Sequence, residues 1–353
     1  MEVKDIDIGG NMNFISMNCP VMPSYFNGIS PIFGQLFEQG SMRKAVIDLG
    51  TNTFHLFIVE LEGEKLKTLY KEKIAVKIGK NGISKGVIAK DAMKRAVHTL
   101  EVFRTVLDQF HVDEVTGVAT SAIRNAQNGQ ELLDQIYEST QIEIQIISGE
   151  REAELIFEGV RAADAVGTSN ELVMDIGGGS VEFIIGNKED ILWKQSFEIG
   201  AQRLLDKFHK KDPMPASSVD EMLEWLVEEL SDLKSAVTKY QPTGLIGCSG
   251  TFDTLTEIYF KATKQDRPIH PKVFKLPIKA YRDIHRDLMI KDKPARLSIP
   301  GMVSMRVDMI VVASCLISFV SDLIPTEHIT ACTYALKEGV LFSMEHKPIT
   351  EKE

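Results

Sequence analysis

Two short segments of this chain repeat one pattern. Asp48-Leu-Gly-Thr-Asn-Thr and Asp175-Ile-Gly-Gly-Gly-Ser each stand between two apolar runs, residues 45–47 and 54–59 in the first case, 172–174 and 181–185 in the second. The shared order is strand, Asp, glycine turn, hydroxyl, strand. Three consecutive glycines are poor strand formers, so the run Gly177, Gly178 and Gly179 needs a compensating use. A glycine turn lets backbone N–H groups come close to an oxyanion. The hydroxyls add donors, and the Asp stands where a metal or a water could be held. The second segment is not a P-loop, because no Gly-Lys-Ser/Thr follows. It is not a dinucleotide fingerprint either, because a strand follows instead of a helix. An ordinary tight hairpin and a phosphate-clamping hairpin remain, and Thr51, Asn52 and Thr53 alone would simply favour a turn. Two such hairpins in one chain point to two related lobes closing on one phosphate-bearing ligand.

The 353 residues have room for one large domain or two modest ones. Hydrophobic residues at 44% and charged residues at 25% are the proportions of a soluble globular protein. Cys19, Cys248, Cys315 and Cys332 are scattered, with no C-x-x-C pair, so neither a zinc signature nor a dense disulfide framework is present. A reducing cytoplasm is the simplest location. The apolar run 307–324 contains Asp308 and Asp322 and reads as a buried helix, not a membrane span. A net charge of −10 argues against general nucleic-acid binding. The charge is uneven, however. Residues 261–296 carry 11 Lys/Arg against 4 Asp/Glu and are broken by prolines. They read as an excursion from the regular fold, either a solvated loop region or a track for a polyanion. Residues 1–41 have no strong period and no basic-then-apolar leader, and are expected to be a poorly ordered extension.

Residues 66–78 read as a third strand, and 90–110 as a helix with Ala92, Ala96, Leu100, Phe103 and Leu107 on one face. A strand over 115–119, a helix over 130–137, a strand over 142–147 and a helix over 150–163 follow. The second half repeats the theme. It has a strand over 191–199, an amphipathic helix over 223–240 and a strand running into the Ser249-Gly250-Thr251 turn. A helix over 252–261, a strand over 328–331 and a final helix from 334 complete it. This alternation is that of an α/β protein.

Several side chains carry candidate chemistry. Ala153, Ile156, Phe157 and Val160 define the buried face of the 150–163 helix. At about 100° per residue, Glu152 lies at the edge of that face while Arg151 and Glu158 point outward. Such a carboxylate is either a plain surface group or one facing a cleft with a raised pKa. Glu182 alternates with Val181 and Phe183, so it faces solvent or the cleft when those two pack inward. Arg124, at the end of a buried strand, either forks onto phosphate oxygens or sits in a surface loop. The eight histidines show no paired metal-ligand spacing, and His55 reads as a core histidine.

Taken together, the two hairpins, the Gly247-Cys248-Ser249-Gly250-Thr251 turn and the Ser148-Gly149-x-x-Glu152-Ala153 segment resemble the exopolyphosphatase/guanosine pentaphosphate phosphohydrolase family of the actin/sugar-kinase/Hsp70 superfamily. The resemblance spans residues 42–344. It implies two ribonuclease-H-like lobes around a central cleft, lobe I over 42–165 and lobe II over 166–353. It implies that Glu152 is the base toward water and that Asp175 and Glu182 hold magnesium or orient that water. Gly50, Thr51, Asn52, Gly177, Gly178, Gly179 and Ser180 match its phosphate loops, and Arg124 matches the arginine of its T-x-x-R pattern. Ser249, Gly250 and Thr251 match the loop that replaces the superfamily's adenosine motif, and Arg306 and Asp308 resemble its R-x-D motif. Two positions depart from the pattern: Val181 replaces a usual threonine, which implies one hydroxyl donor fewer, and Ser314 replaces a usual glycine. The helical C-terminal region of longer members is expected to be absent, which argues against processive handling of long polyphosphate.

The expected function is therefore a magnesium-dependent exopolyphosphatase that releases terminal orthophosphate from inorganic polyphosphate by Glu-activated water attack. Guanosine pentaphosphate 5′-phosphohydrolase is the alternative. A non-catalytic alarmone or polyphosphate sensor is a further one, disfavoured by the site carboxylates. An ATP-dependent kinase of the superfamily is disfavoured because no sugar-binding motif accompanies the Ser-Gly-Thr turn. Neither a nucleic-acid nor a membrane partner is expected, and a homodimer is left open.

Overall fold

The protein is described by a computed structural model over residues 41–63, 65–268 and 272–346. The expected extension lies, apart from Ser41, outside the described residues. The first sheet begins with β1 (Met42–Leu49), β2 (Phe54–Glu62) and β3 (Lys65–Ile74). It continues through α1 (Lys90–Gln109), β4 (Glu114–Ala119), the short α2 (Ser121–Arg124), α3 (Gly129–Thr140) and β5 (Ile144–Ile146). Helix α4 (Gly149–Ala162) leads to β6 (Glu171–Ile176), β7 (Val181–Gly186) and β8 (Ile191–Phe197). Then come α5 (Ala201–Phe208), α6 (Ala216–Glu229), α7 (Ser231–Tyr240), β9 (Gly244–Cys248) and α8 (Ser249–Thr263). The chain closes with β10 (Val273–Pro277), α9 (Ile278–Ile290), α10 (Lys293–Leu297), α11 (Met309–Ser321), β11 (His328–Cys332) and α12 (Leu336–His346).

The strand orders are β3-β2-β1-β4-β5 and β10-β11-β9-β6-β7-β8. In both sheets a three-strand antiparallel meander continues into parallel strands. Apart from the edge strand β10, the second sheet thus repeats the first, and the fold is two ribonuclease-H-like lobes around a cleft. Three cores hold the layers together. One joins the outer face of the first sheet to α1 and α3, and another joins the second sheet to α5 through α9 and α11. The third lies between the sheets, where α4 and α12 pack against Val46, Phe57, Val173, Ile184 and Ile246.

The crossing of α4 and α12 depends on two glycines. A Cβ on Gly339 would overlap the Leu155 carbonyl, and one on Gly159 would overlap the Ala335 carbonyl. Both obstacles are backbone, so a neighbouring rotamer change does not make room. The close crossing sets the height at which the start of α12 meets the start of α4.

Several expectations are corrected. The third strand ends at Ile74 instead of 78. Residues 77–79 are drawn away because Lys77 and Gly79 donate backbone N–H bonds to the Asn52 and Thr51 carbonyls, at 2.9 and 3.1 Å. The 223–240 helix is two helices sharing Leu230 as a cap. Met222, Leu226, Leu230, Leu233 and Ala236 stay buried straight through the break, so periodicity could not mark it. Arg124 ends a short helix, not a strand.

The 261–296 stretch is regular structure, apart from residues 269–271, which lie outside the described ones. Pro277 closes an edge strand and Pro294 sits in the first turn of α10, both places that tolerate proline. Eight of its eleven cations are paired with acids. The stretch is therefore no bare polyanion track. Among the described residues no helix is long and apolar enough to cross a membrane.

Gly339→Ala should lower stability by about 3 kcal/mol through overpacking against backbone. The check is the denaturant midpoint, and an unchanged midpoint would contradict the close crossing.

Candidate active site

The two glycine hairpins meet at one cavity of about 280 Å³. Their loops interlock: a Cβ on Gly178 would come within 2.9 Å of Thr51 Cβ, and one on Gly179 within 2.7 Å of Thr51 Oγ1. The loops are held by their carbonyls. The first three amides at the start of α5, Gly200, Ala201 and Gln202, donate to the carbonyls of Gly179, Gly177 and Gly178 at 2.9–3.0 Å. Arg203 Nε donates to the Gly179 carbonyl as well, at 2.9 Å. In the first hairpin the Thr51 and Asn52 carbonyls are taken by residues 79 and 77. Among the described residues, the amides of Thr51, Asn52, Gly178 and Gly179 donate to no protein acceptor. Free amides on glycine turns, with carbonyls tied away, form an oxyanion cradle.

Six carboxyl groups line the same cavity, Asp48, Glu152, Asp175 and Glu182 from the hairpins and α4, with Asp253 and Asp308 besides. Asp48 ends β1, while Asp175 and Glu182 face each other across the β6–β7 hairpin. Val181 and Phe183 pack into the core, which leaves Glu182 toward the cavity. Glu152 lies in the first turn of α4, whose N-cap Ser148 accepts from the Arg151 amide. Burial pushes Glu152 up to about 7, with Arg124 opposing that rise and Asp48 and Asp175 adding to it. Burial likewise raises Asp48 to about 7, against the pull of Lys337. Glu182 is raised well above the carboxylate range by burial and by the charges of Glu152 and Asp175, although Ser196 Oγ donates to it at 2.7 Å. Asp175 is raised by burial and eased by a hydrogen bond from Ser249. Ser249 itself adopts a left-handed φ of 68°, a strained conformation for a serine.

Every residue expected at the site lines this cavity except Arg124: Gly50, Thr51, Asn52, Glu152, Asp175, Gly177, Gly178, Gly179, Ser180, Glu182, Ser249, Gly250 and Thr251. Arg306 and Asp308 line it too. Arg124 stands behind Glu152. Its Nη1 donates to Glu152 Oε2 at 2.8 Å and to the Ile147 carbonyl at 3.1 Å, and its Nη2 reaches Glu198 Oε1 at 3.2 Å. Glu198 is in turn fixed by Ser121 Oγ at 2.6 Å and Arg203 Nη2 at 2.9 Å. Val181 is fully buried in the core, so its lack of a hydroxyl removes nothing from the cavity. Ser314 is a core residue as well, its hydroxyl donating to the Val311 carbonyl.

Sequence reading missed Glu198, Ser121, Lys73 and Lys337. Lys337 follows Leu336 at the start of α12, reaches the cavity, and is held by Glu338 Oε2 at 3.1 Å. Burial would lower it, but the Glu338 carboxylate keeps it above the ordinary lysine value. The adjacent charged pair Lys337-Glu338 at the start of the final helix was the available signal. His55 is not a sealed core residue but lines the cavity, bonded to Thr53 Oγ1 at 3.1 Å. Burial, with Lys337 and Lys73 beside it, holds His55 well below the usual value, hence neutral.

The carboxylate oxygens are the donors a hard divalent cation prefers. Among the described residues no three Asp, Glu, His or Cys side chains converge closely enough to hold an ion alone. The set fits magnesium held by one or two carboxylates together with waters and substrate oxygens, and does not fit an all-protein cage.

An interlocked pair of anion-cradling hairpins, faced by buried carboxylates between two repeated lobes, defines a phosphate-handling site. The family model of the Ppx/GppA phosphatase family matches residues 57–348, and the chain belongs to that family. A crystal structure of an exopolyphosphatase from Cytophaga hutchinsonii is 47% identical, with a TM-score of 0.84, covering 86% of this chain and 97% of that one. A bifunctional 3-dehydroquinate synthase/phosphatase from Fusobacterium nucleatum is 32% identical over 63% of this chain and 35% of its own length. A guanosine-5′-triphosphate,3′-diphosphate pyrophosphatase from Photobacterium profundum is 27% identical over 91% of this chain and 61% of its own length. The chain thus spans about a third and about three fifths of these two curated relatives.

Folded Asp48 keeps its proton up to about pH 7, whereas an unfolded Asp loses it near 3.8. Between these values the folded chain binds the extra proton, so stability falls as pH rises. Asp48→Asn should therefore stabilise the ligand-free protein at pH 8 by on the order of 1–3 kcal/mol. The gain should vanish below pH 4, as read by urea unfolding at both pH values.

Proposed function

We propose that this chain is a magnesium-dependent phosphoanhydride hydrolase that releases terminal orthophosphate from inorganic polyphosphate. The observation that carries the reading is the placement of Glu152. Its carboxyl faces the same cavity as the two amide cradles, is locked by Arg124, and is poised near neutrality. A carboxylate whose pKa matches the working pH is suited to take a proton from water. The terminal phosphate lies on the Thr51–Asn52 and Gly178–Gly179 amides, which stabilise the charge spreading over its oxygens. Arg124 acts through Glu152: it fixes the carboxylate and keeps burial from raising its pKa further. Magnesium on Asp175 and Glu182 would neutralise substrate oxygens and the charge between those two groups. We keep residues 42–165 and 166–353 as the two lobes, with the reaction in the cleft between them.

Guanosine pentaphosphate is the second substrate to test, because the Photobacterium relative is named for it. Its 5′ end offers the same terminal anhydride to the same cradle.

Glu152→Gln should lower phosphate release from polyphosphate roughly 10³-fold with the fold intact by circular dichroism. Near-normal turnover would remove Glu152 as the base. In the unaltered protein kcat/KM should climb with pH through about 7 on its acid side, following Glu152 deprotonation. A flat profile from pH 5 to 8 would contradict that assignment.

A further inference from the structure

The basic stretch 261–296 contributes nothing to the cavity wall, and most of its cations are paired. A denser run lies elsewhere. Residues 65–85 hold seven lysines and one acid, Glu72. Three of these lysines, Lys73, Lys77 and Lys80, line the cavity. They come from the end of β3 and the turn that clasps the first hairpin. Lys73 pairs in register with His55, and His55 pairs with Asp48, so the three side chains share one face of the sheet. The row runs from the carboxylate end of the cavity toward solvent, where Lys77 and Lys80 are exposed.

None of the three ammonium groups has an acidic partner within ion-pair distance among the described residues, whereas Lys67 and Lys71 on the same strand pair with Glu60 and Glu338. Lys73 is half-buried, with the cations Arg306 and Lys337 and the carboxyl groups of Asp253 and Asp48 in its surroundings, neither carboxyl at ion-pair distance. A partly desolvated cation without a direct ion-pair partner gains from an incoming anion. The backbone beneath the row is fixed: the Lys77 amide is spent on the Asn52 carbonyl, its φ is +54°, and Arg95 Nε and Nη2 hold the Val76 and Lys77 carbonyls. A rigid base under free ammonium groups suits a polyanion that must leave the cavity in one direction.

We propose that Lys73, Lys77 and Lys80 form a second anion subsite that takes the inner phosphates of the substrate while its terminal phosphate lies on the glycine hairpins. The subsite rests on the hydrolase reading for its substrate, and it makes the β3 wall the exit path of the polyphosphate tail. A substrate with one phosphate cannot span both subsites, and a chain of three or more can.

The test is direct titration of the full chain in the Glu152→Gln background, with magnesium present, using long-chain polyphosphate and orthophosphate. Lys77→Gln/Lys80→Gln should weaken polyphosphate binding at least tenfold and orthophosphate binding less than twofold. It should also lower the slope of log affinity against log salt by roughly 1 to 2. Lys264→Gln/Lys275→Gln, which removes two exposed cations of the 261–296 stretch, should change neither affinity. Unchanged polyphosphate affinity in the first pair, or equal losses in both pairs, would overturn the subsite, as would a chain that binds no polyphosphate. A chain that binds with the expected difference, yet releases no phosphate when Glu152 is intact, would overturn the hydrolase reading alone.

Discussion

The joint burial of Asp48, Glu152, Asp175 and Glu182 in one cavity, with their like charges adding to its cost, is the constraint around which this molecule is arranged. Two carboxylates about 4 Å apart repel by ~4 kcal/mol at an effective dielectric of 20. The fold relieves this only in part. Arg124 serves Glu152, Ser196 serves Glu182, and Ser249 serves Asp175. Burial, with the neighbouring charges added, favours the protonated forms, which is why Asp48 and Glu152 stand near 7 and Glu182 is raised well above the carboxylate range. A site held in this condition gains whatever a divalent cation and a phosphate chain bring to it together. Strain stored among ligand-binding groups is the usual cost of pre-organisation.

The scaffold delivers these groups by repetition. Each lobe ends its first strand in an Asp and a tight hairpin, and the two hairpins touch at Thr51 and Gly178–Gly179. Each hairpin has its carbonyls tied from outside, one by the turn after β3 and the other by the start of α5, so the amides point to the same space. The close passage of α4 and α12 then brings Glu152 and Lys337 to the cavity from segments far apart in the sequence. Three lysines line the β3 wall of the cavity, while Lys337 and Arg306 stand among its carboxyl groups.

Much of this was legible in the sequence because it is local. The glycine run announced a turn with a use, helical spacing set Glu152 at a core edge, and strand alternation gave Glu182 its two faces. What could not be read depends on contacts between distant segments. Arg124 could reach phosphate or a carboxylate, and only the arrival of Glu152 and Glu198 decides it. The positive balance of 261–296 looked significant until acids from the same and neighbouring helices were found beside its cations. The opposite error befell Lys73 and Lys337, unremarkable in the sequence and central once folded. Val181 appeared to be a missing donor because the strand's inward face was not known.

The most direct test of the central claim is hydrolysis of polyphosphate in water enriched in oxygen-18, with mass analysis of both products. Attack at the terminal phosphorus by water activated at Glu152 predicts one labelled oxygen in each released orthophosphate and none in the shortened chain. Label in the shortened chain, or the absence of labelled orthophosphate, would contradict it.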